Sequence, residues 1–353
     1  MSQTSKTFRA AGALSASSAT ISNDEAVALA KAHFGIEGIV ARFATEKDDT
    51  FRLTSSGGQN YTLKVANGAE NPLEIAFQID LLRHIAAVNP QLPVPRVLPD
   101  RENRLQFPYI DSAGQSRQVH LLTYLEGVPL SDITTTTQQR EKVGEALGAL
   151  RLAMAEYSHE VDSREIAWDV RHLLKLEPLL DEIKDPAKRR LLEIGLDRFA
   201  GIYDRIAGCR TQVLHNDFSK SNIVVNGSEK QFVTGVIDFG DAVRTAVAID
   251  VSTALLNQLP SQEADDFFAH GHDVLRGYLR VANLTNDELS LIPHLIMGRV
   301  VARALLTIWR GRLFPENAQY ILRNTDQGWH QLRWFMTRPM DGISGDFLAA
   351  ASA

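Results

Sequence analysis

The sequence predicts an α+β protein in two lobes, a small β-rich lobe followed by a larger, mostly helical one. Three observations carry this. The chain has 353 residues, more than one ordinary domain core and fewer than three. Its first third reads in the order strand, strand, strand, helix, strand, strand. Beyond Gly127 the apolar positions recur at three- and four-residue spacing, with prolines as punctuation.

Each element has a local reason. Residues 1–20 are rich in Ser, Ala and Thr, carry no acid and lack the apolar core of a secretory signal. A disordered tail is expected there, although a transit peptide shares that composition. Ser22, Asn23 and Asp24 offer caps for a helix over EAVALAKAHF. IVARF and TFRLTSS read as strands flanking the polar loop 45–50, and Gly57-Gly58 turns the chain into a third strand, YTLKV. Ile75, Ile79, Leu82 and Ile85 predict a helix over Pro72–Val88. Strands are expected near 104–110 and in VHLLTYLEG, and helices over 138–158, 165–183 and 186–207. VLHNDF and VTGVIDFGD read as short strands around polar turns, and 247–336 as helical, interrupted at Pro260, Pro293 and Pro315. The lobes divide as 21–122 and 123–353.

Composition narrows the function classes. Hydrophobic residues make up 44% and charged residues 23% of the chain, the balance of a folded globular protein. The net charge of −6 and pI near 5.9 offer no basic excess for nucleic acid or an anionic membrane. Cys209 is the single cysteine, which excludes an intramolecular disulfide and argues against a Cys-based zinc site. No H-x-x-x-H, H-E-x-x-H or G-x-S-x-G pattern occurs, and no uninterrupted apolar run is long enough for a bilayer. A cytoplasmic monomer or homodimer is the expectation.

The chemistry is concentrated in two segments. LHNDFSKSNIVV places His215, Asp217 and Asn222 in the spacing H-x-D-x-x-x-x-N. A carboxylate and a carboxamide five residues apart on one loop are what phosphoryl transfer needs. The carboxylate takes or orients the proton of the attacking hydroxyl, and the amide oxygen holds a divalent cation without a further full charge. GVIDFGD follows, an apolar strand ending at Asp238, with Gly240 and Asp241 in the turn. Asp238 has the position of a residue bridging metal and nucleotide phosphates. Lys64, on the third strand, is placed to pair with those phosphates, and Glu74 is its expected helix partner, with Asp80 second. The loop 45–50 has no glycine, so any approach to the phosphates falls to Thr50 and nearby backbone N–H groups.

Lys64, HNDFSKSN and IDFGD, in that order, resemble the aminoglycoside-phosphotransferase and choline-kinase-like family, over about residues 21–340. TEKDDTFRLTSSGGQNYTLKVAN and FPENAQYILRNT are most similar to hydroxylysine kinases within it. The resemblance implies a two-lobed protein-kinase-like fold, with a nucleotide-binding lobe and a lobe for catalysis and the acceptor. It implies Asp217 as catalytic base, Asn222 and Asp238 as Mg²⁺ ligands, Lys64 on the phosphates of ATP or GTP, and His215 and Asp250 as supports of the catalytic loop. Hydroxylysine kinases use GTP, so the narrower resemblance implies GTP. Asn216 replaces the arginine usual in protein kinases, which argues against regulation through an activation segment.

The base is expected between the lobes, against backbone groups near Leu122, Thr123 and Tyr124, with Leu63 and Ile237 as apolar walls. A hydroxylated amine or amino acid must bring its hydroxyl to Asp217. Arg299, Arg303 and Arg310 share roughly one helix face, and Arg299 is the candidate for a substrate carboxylate. Trp309 and Trp329 are candidate walls, and Asp241 and Glu126 candidate amine partners. Lys220 could touch the transferred phosphate or be solvated. The expected function is transfer of the γ-phosphoryl group to 5-hydroxylysine or a related hydroxy amino acid. Choline, homoserine or an aminoglycoside as acceptor, or a nucleotide-binding pseudokinase, are the rivals.

Overall fold

The computed structural model describes residues 20–45, 48–262, 264, 266–323 and 325–352. The expected tail therefore lies outside the described residues except at Thr20, as do Glu46 and Lys47 of the polar loop.

The N-terminal lobe is a sheet with one helix on each side. Helix α1 (Asn23–Leu29) is capped by Ser22, whose hydroxyl accepts from Glu25 N at 3.1 Å. It continues as a π turn, Ala30–Phe34, which Gly35 ends at φ 72°. Strands β1 (Gly38–Arg42), β2 (Asp49–Ser55), β3 (Asn60–Val65), β4 (Val97–Leu98), β5 (Phe107–Ile110) and β6 (Ser116–Thr123) form one antiparallel sheet. Its order is β1-β2-β3-β6-β4, with β5 also on β6. Helix α2 (Pro72–Val88) starts with Asn71 as cap and Pro72 as its first residue.

The alternation of the strands decides what faces the site. Phe51, Leu53, Leu63, Val65, Val119 and Leu121 pack against Ile21, Ala26 and Leu29 on the α1 side. Each such side chain contributes ~1.5–3 kcal/mol by leaving water. The intervening positions face the other way, with Thr50 paired across to Lys64 and Lys64 to His120. The start of β2 is anchored by the buried Arg117, which donates to Asp49 Oδ2 at 2.9 Å, to Asp111 Oδ2 at 3.3 Å and to Ala66 O.

Residues 124–127 carry the chain out of the sheet. Gly127 has φ 144°, and a Cβ there would lie 2.6 Å from Val225 O, so both conformation and space call for glycine. Strand β7 (Val128–Pro129) then joins the second lobe. That lobe contains α3 (Thr137–Ala153), a 3₁₀ stretch Val170–Glu182, α4 (Pro186–Ala200), α5 (Tyr203–Ala207), β8 (Thr211–Leu214), β9 (Ile223–Val225), β10 (Val233–Val236) and β11 (Val243–Ala246). Helices α6 (Val247–Leu256), α7 (Ala269–Leu279), α8 (Asn286–Leu313), α9 (Ala318–Leu322), α10 (Thr325–Met336) and α11 (Met340–Ser352) complete it. Two small sheets, β10-β9-β7 and β11-β8, frame the polar loops.

Four features depart from the sequence reading. The segment 165–183, expected as an ordinary helix, is irregular at its start and 3₁₀ only over Val170–Glu182, with Pro178 inside. Pro293 does not interrupt α8, where the flanking Leu289, Leu291, Ile292, Leu295 and Ile296 are all buried. Packing on every side offsets the ~3 kcal/mol that an internal proline costs a helix. Helix α11 extends the helical region past 336, and β4, β7 and β11 are additional short strands. Helix α8 is long and apolar enough to cross a membrane, but 83% of its apolar window is buried inside the lobe, as befits a central core helix.

Candidate active site

The loop between β8 and β9 carries Asp217 and is held from several directions. Asn216 has φ 61°, a left-handed conformation that Asn tolerates better than most residues. Its N–H donates to Asp250 Oδ1 at 2.7 Å, and its carbonyl accepts from Arg299 Nη2 at 3.3 Å. His215 Nδ1 accepts from Asp217 N at 3.2 Å while its Nε2 lies 3.0 Å from Ile237 O, which places the ring proton on Nε2. Burial keeps that ring below the usual histidine range. Asn222 donates its Nδ2 to Asp217 O at 3.0 Å and to Asp217 Oδ2 at 2.7 Å, and its main-chain carbonyl accepts from Ile237 N at 2.9 Å. The two sequence motifs are thus stitched into one unit.

The second loop is strained in the same sense. Asp238 has φ 63° and is half-exposed, with its Oδ1 3.4 Å from Lys64 Nζ. Asn222 commits its NH₂ group to Asp217 and so presents an oxygen, and Asp238 offers a carboxylate. These two hard donors are the pair suited to a divalent cation that keeps water and phosphate ligands. Among the described residues no group of three or more His, Cys, Asp and Glu forms a metal cage.

Two cavities meet at Asp217. One, about 80 Å³, is lined by Thr45, Asp48, Thr50, Lys64, Asp217, Asp238, Gly240 and Asp241. The hydroxyl of Thr50 is buried there without a hydrogen-bond partner. The other, about 210 Å³, has Asp217, Asp241, Arg299, Arg303 and Arg323 among its lining. Loss of solvation first, then the Asp241 carboxylate, pushes Asp217 up to about 8, against the pull of Arg299 and the Asn222 amide. Burial likewise pushes Asp250 up to about 6.

Several residues sit elsewhere than expected. Glu74 pairs with Arg164 Nη1 at 2.5 Å, and the Lys64 ammonium meets Asp238 instead. The cause is position: Glu74 is in the first turn of α2, within reach of a guanidinium that also donates to Gly240 O and Ala242 O at 2.6 and 2.9 Å. Leu63 cannot wall a nucleotide base, because the residue before Lys64 must face the α1 side. Leu122 is buried with the α2 side chains, Thr123 N donates to Arg96 O at 2.9 Å, and Tyr124 begins the connection between the lobes. Trp309 packs against the helical core and does not line the 210 Å³ cavity; the tryptophan there is Trp168. Trp329 is core, under the Lys188 ammonium. Glu126 accepts from Asn60 Nδ2 at 2.9 Å, away from that cavity, and Arg310 is buried beside Phe314. Lys220 lines neither cavity; burial, then Arg140, holds its ammonium below the usual range.

Sequence reasoning missed Arg164, Trp168, Thr253, Asn257, Tyr320 and Arg323. Of these, Tyr320 and Arg323 had a signal, since they fall in FPENAQYILRNT, a segment already marked by its resemblance.

A small lobe presenting a lysine over a cleft, and an Asp/Asn loop and an Asp-Phe-Gly turn rising from a helical lobe, define a two-lobed phosphotransferase. The chain belongs to the phosphotransferase enzyme family, whose model matches residues 41–284. It is 24% identical to a hydroxylysine kinase of Mus musculus over 88% of each chain. It is 26% identical to a homoserine kinase of Agrobacterium fabrum over 75% of this chain and 78% of the relative. Its fold is similar to that of a microcompartment-associated aminopropanol kinase, with a TM-score of 0.69, 17% identity, and 92% and 97% of the two chains covered.

Proposed function

We propose that this phosphotransferase moves the γ-phosphoryl group of ATP or GTP to the hydroxyl of a small amine or amino acid, with 5-hydroxylysine or a related hydroxy amino acid as acceptor. The observation that carries the reading is the meeting of the two cavities at Asp217. One offers the Lys64 ammonium and the unpartnered Thr50 hydroxyl to phosphate oxygens; the other is the size of an amino acid and opens onto the same carboxylate. The hydroxylysine and homoserine kinase relatives favour an amino-acid acceptor.

Each residue then has a task. Asp217 takes the proton of the acceptor hydroxyl as its oxygen attacks phosphorus, and a carboxylate made more basic by burial suits that step. Asn222 orients Asp217 through the 2.7 Å bond. Lys64 leaves Asp238 for the phosphates when nucleotide enters. Asn222 and Asp238 would hold Mg²⁺, which when bound offsets charge on the phosphate oxygens. His215, Asp250 and Arg299 keep the loop in its left-handed turn, so that Asp217 needs no rearrangement.

The test is nucleotide consumption with Mg²⁺, ATP and GTP separately, against 5-hydroxylysine, homoserine, choline, ethanolamine and kanamycin. Acceptor-dependent turnover is expected with the hydroxy amino acids, and Asp217→Asn should lower it by about 10²- to 10⁴-fold with nucleotide affinity retained. Nucleotide binding without turnover on any acceptor would point to a pseudokinase, and full activity in the variant would remove Asp217 from its role.

A further inference from the structure

The 210 Å³ cavity holds two guanidinium groups one helical turn apart on α8, Arg299 and Arg303. Arg299 is 6% exposed, and only its Nη2 has a partner, the carbonyl of Asn216; its Nη1 is buried with none. Arg303 donates to Gln331 Oε1, a neutral group, and its Nε is buried without a partner. Neither forms an ion pair with an acidic side chain among the described residues, although buried arginines elsewhere in the chain do: Arg117 with Asp49 and Asp111, Arg140 with Asp273. Asp217 and Asp250 act on Arg299 through space, but no carboxylate offsets Arg303, so the pair is one negative charge short of balance and calls for an anion beside Arg303. Burial, and then Arg299, hold Arg303 down to about 10, which is the same shortage of negative charge seen from the titration side.

We infer that Arg299 and Arg303 form the seat for the α-carboxylate of the acceptor, so that the acceptor is an amino acid and not an amino alcohol or a polycation. The inference rests on the phosphotransferase reading for what the ligand is doing in the cavity. Both guanidinium groups line the cavity, and two planar forks suit a carboxylate's two oxygens. Asp217 and Asp241, which line the same cavity, receive the hydroxyl and the ammonium. A choline or aminoglycoside acceptor would bring further positive charge and leave Arg303 without a counter-charge. Arg299 has a second duty to the Asn216 carbonyl, so Arg303 is the specificity residue that can be altered without touching the catalytic loop.

The experiment pairs each amino acid with the same molecule lacking its carboxylate: 5-hydroxylysine with 1,5-diamino-2-pentanol, and homoserine with 3-aminopropanol. Both binding by calorimetry and turnover are measured for wild type, Arg303→Gln and Arg303→Lys, with inorganic phosphate as a further ligand. Wild type should favour the carboxylate-bearing member by roughly 10- to 100-fold, the worth of a charge-assisted hydrogen bond or two. Arg303→Gln should collapse that ratio, and Arg303→Lys should restore part of it. A thermal melt confirms that each variant is folded. Equal losses for both members of a pair, a wild type that binds the decarboxylated member as well, no binding of either amino acid, or phosphate bound as tightly as the amino acid would each overturn the inference. A carboxylate preference in binding without turnover would keep the seat and sink the kinase reading; turnover without the preference would do the reverse.

Discussion

Asp250 shows how much a single buried side chain does here. It accepts the Asn216 N–H at 2.7 Å and holds the residue before Asp217 in its left-handed turn. Burial raises it to about 6, against the pull of the Asn216 amide, Arg151 and Arg299. The unfolded chain has an ordinary carboxyl near 3.9, so between those values the folded state binds more protons. Stability therefore falls as pH rises through about 4 to 6, by about 3 kcal/mol for this group in full. Asp250→Asn keeps an acceptor oxygen and removes the titration. Its stability relative to wild type should rise across that window and level off above it. Urea unfolding at pH 4.5 and 7 measures this, and a constant difference would show that Asp250 does not titrate there. At this scale the candidate site was legible: the structure brings together His215, Asp217, Asn222 and Asp238, residue types that phosphoryl transfer calls for at short spacing on two neighbouring loops. Arg164 was not legible, because its partners Glu74 and Gly240 lie 90 and 76 positions away and no local pattern records the meeting.

Among the elements, α3 and α7 pack closest. A Cβ on Gly144 would lie 1.9 Å from Val274 O, and one on Gly277 would lie 1.9 Å from Glu141 O. The two glycines let the backbones touch, and no side-chain movement can make room. Gly277→Ala should therefore destabilise by about 3 kcal/mol or more, although alanine favours helix by about 1 kcal/mol. Gly345→Ala, in α11 with nothing within 4 Å of the new Cβ, should be neutral or slightly stabilising. Equal urea midpoints for the two variants would show that the close approach is not stabilising the pair. Element type followed from local signals where those were unambiguous. Asn71-Pro72 and the spacing of Ile75, Ile79, Leu82 and Ile85 specify α2 from both ends. The 3₁₀ stretch was read as an ordinary helix because Leu173, Leu176 and Leu179 fit a period of three as well as 3.6. Trp309 was placed at the site for lack of a face. Ten residues from Arg299 at ~100° per residue puts it roughly 80° round the helix, whereas Arg303 is only about 40° away.

Across the whole molecule, Arg164 ties the lobes beside the candidate site. Arg164 reaches Glu74 in the first turn of α2, and Gly240 O and Ala242 O beyond Asp238. Its side chain is 8% exposed, so the ion pair escapes most of the screening that weakens surface pairs. In this position it couples the small lobe to the loop that bears Asp238 and Asp241, where the sequence reading had Glu74 serving Lys64. With Glu74 held by Arg164, Lys64 has Asp238 as a partner. Arg164→Gln removes the charge and shortens the reach, leaving Glu74 without its partner and two carbonyls without their shared donor. Amide hydrogen exchange should rise at residues 238–242 and in the first turn of α2 together, while α8 in the lobe core stays protected. If the tie sets the approach of the lobes, the KM for nucleotide should rise more than the KM for the acceptor measured at saturating nucleotide. Unchanged exchange in both segments would reduce Arg164 to a local brace, and a rise confined to α2 would show that the loop is held by β10 and His215 alone.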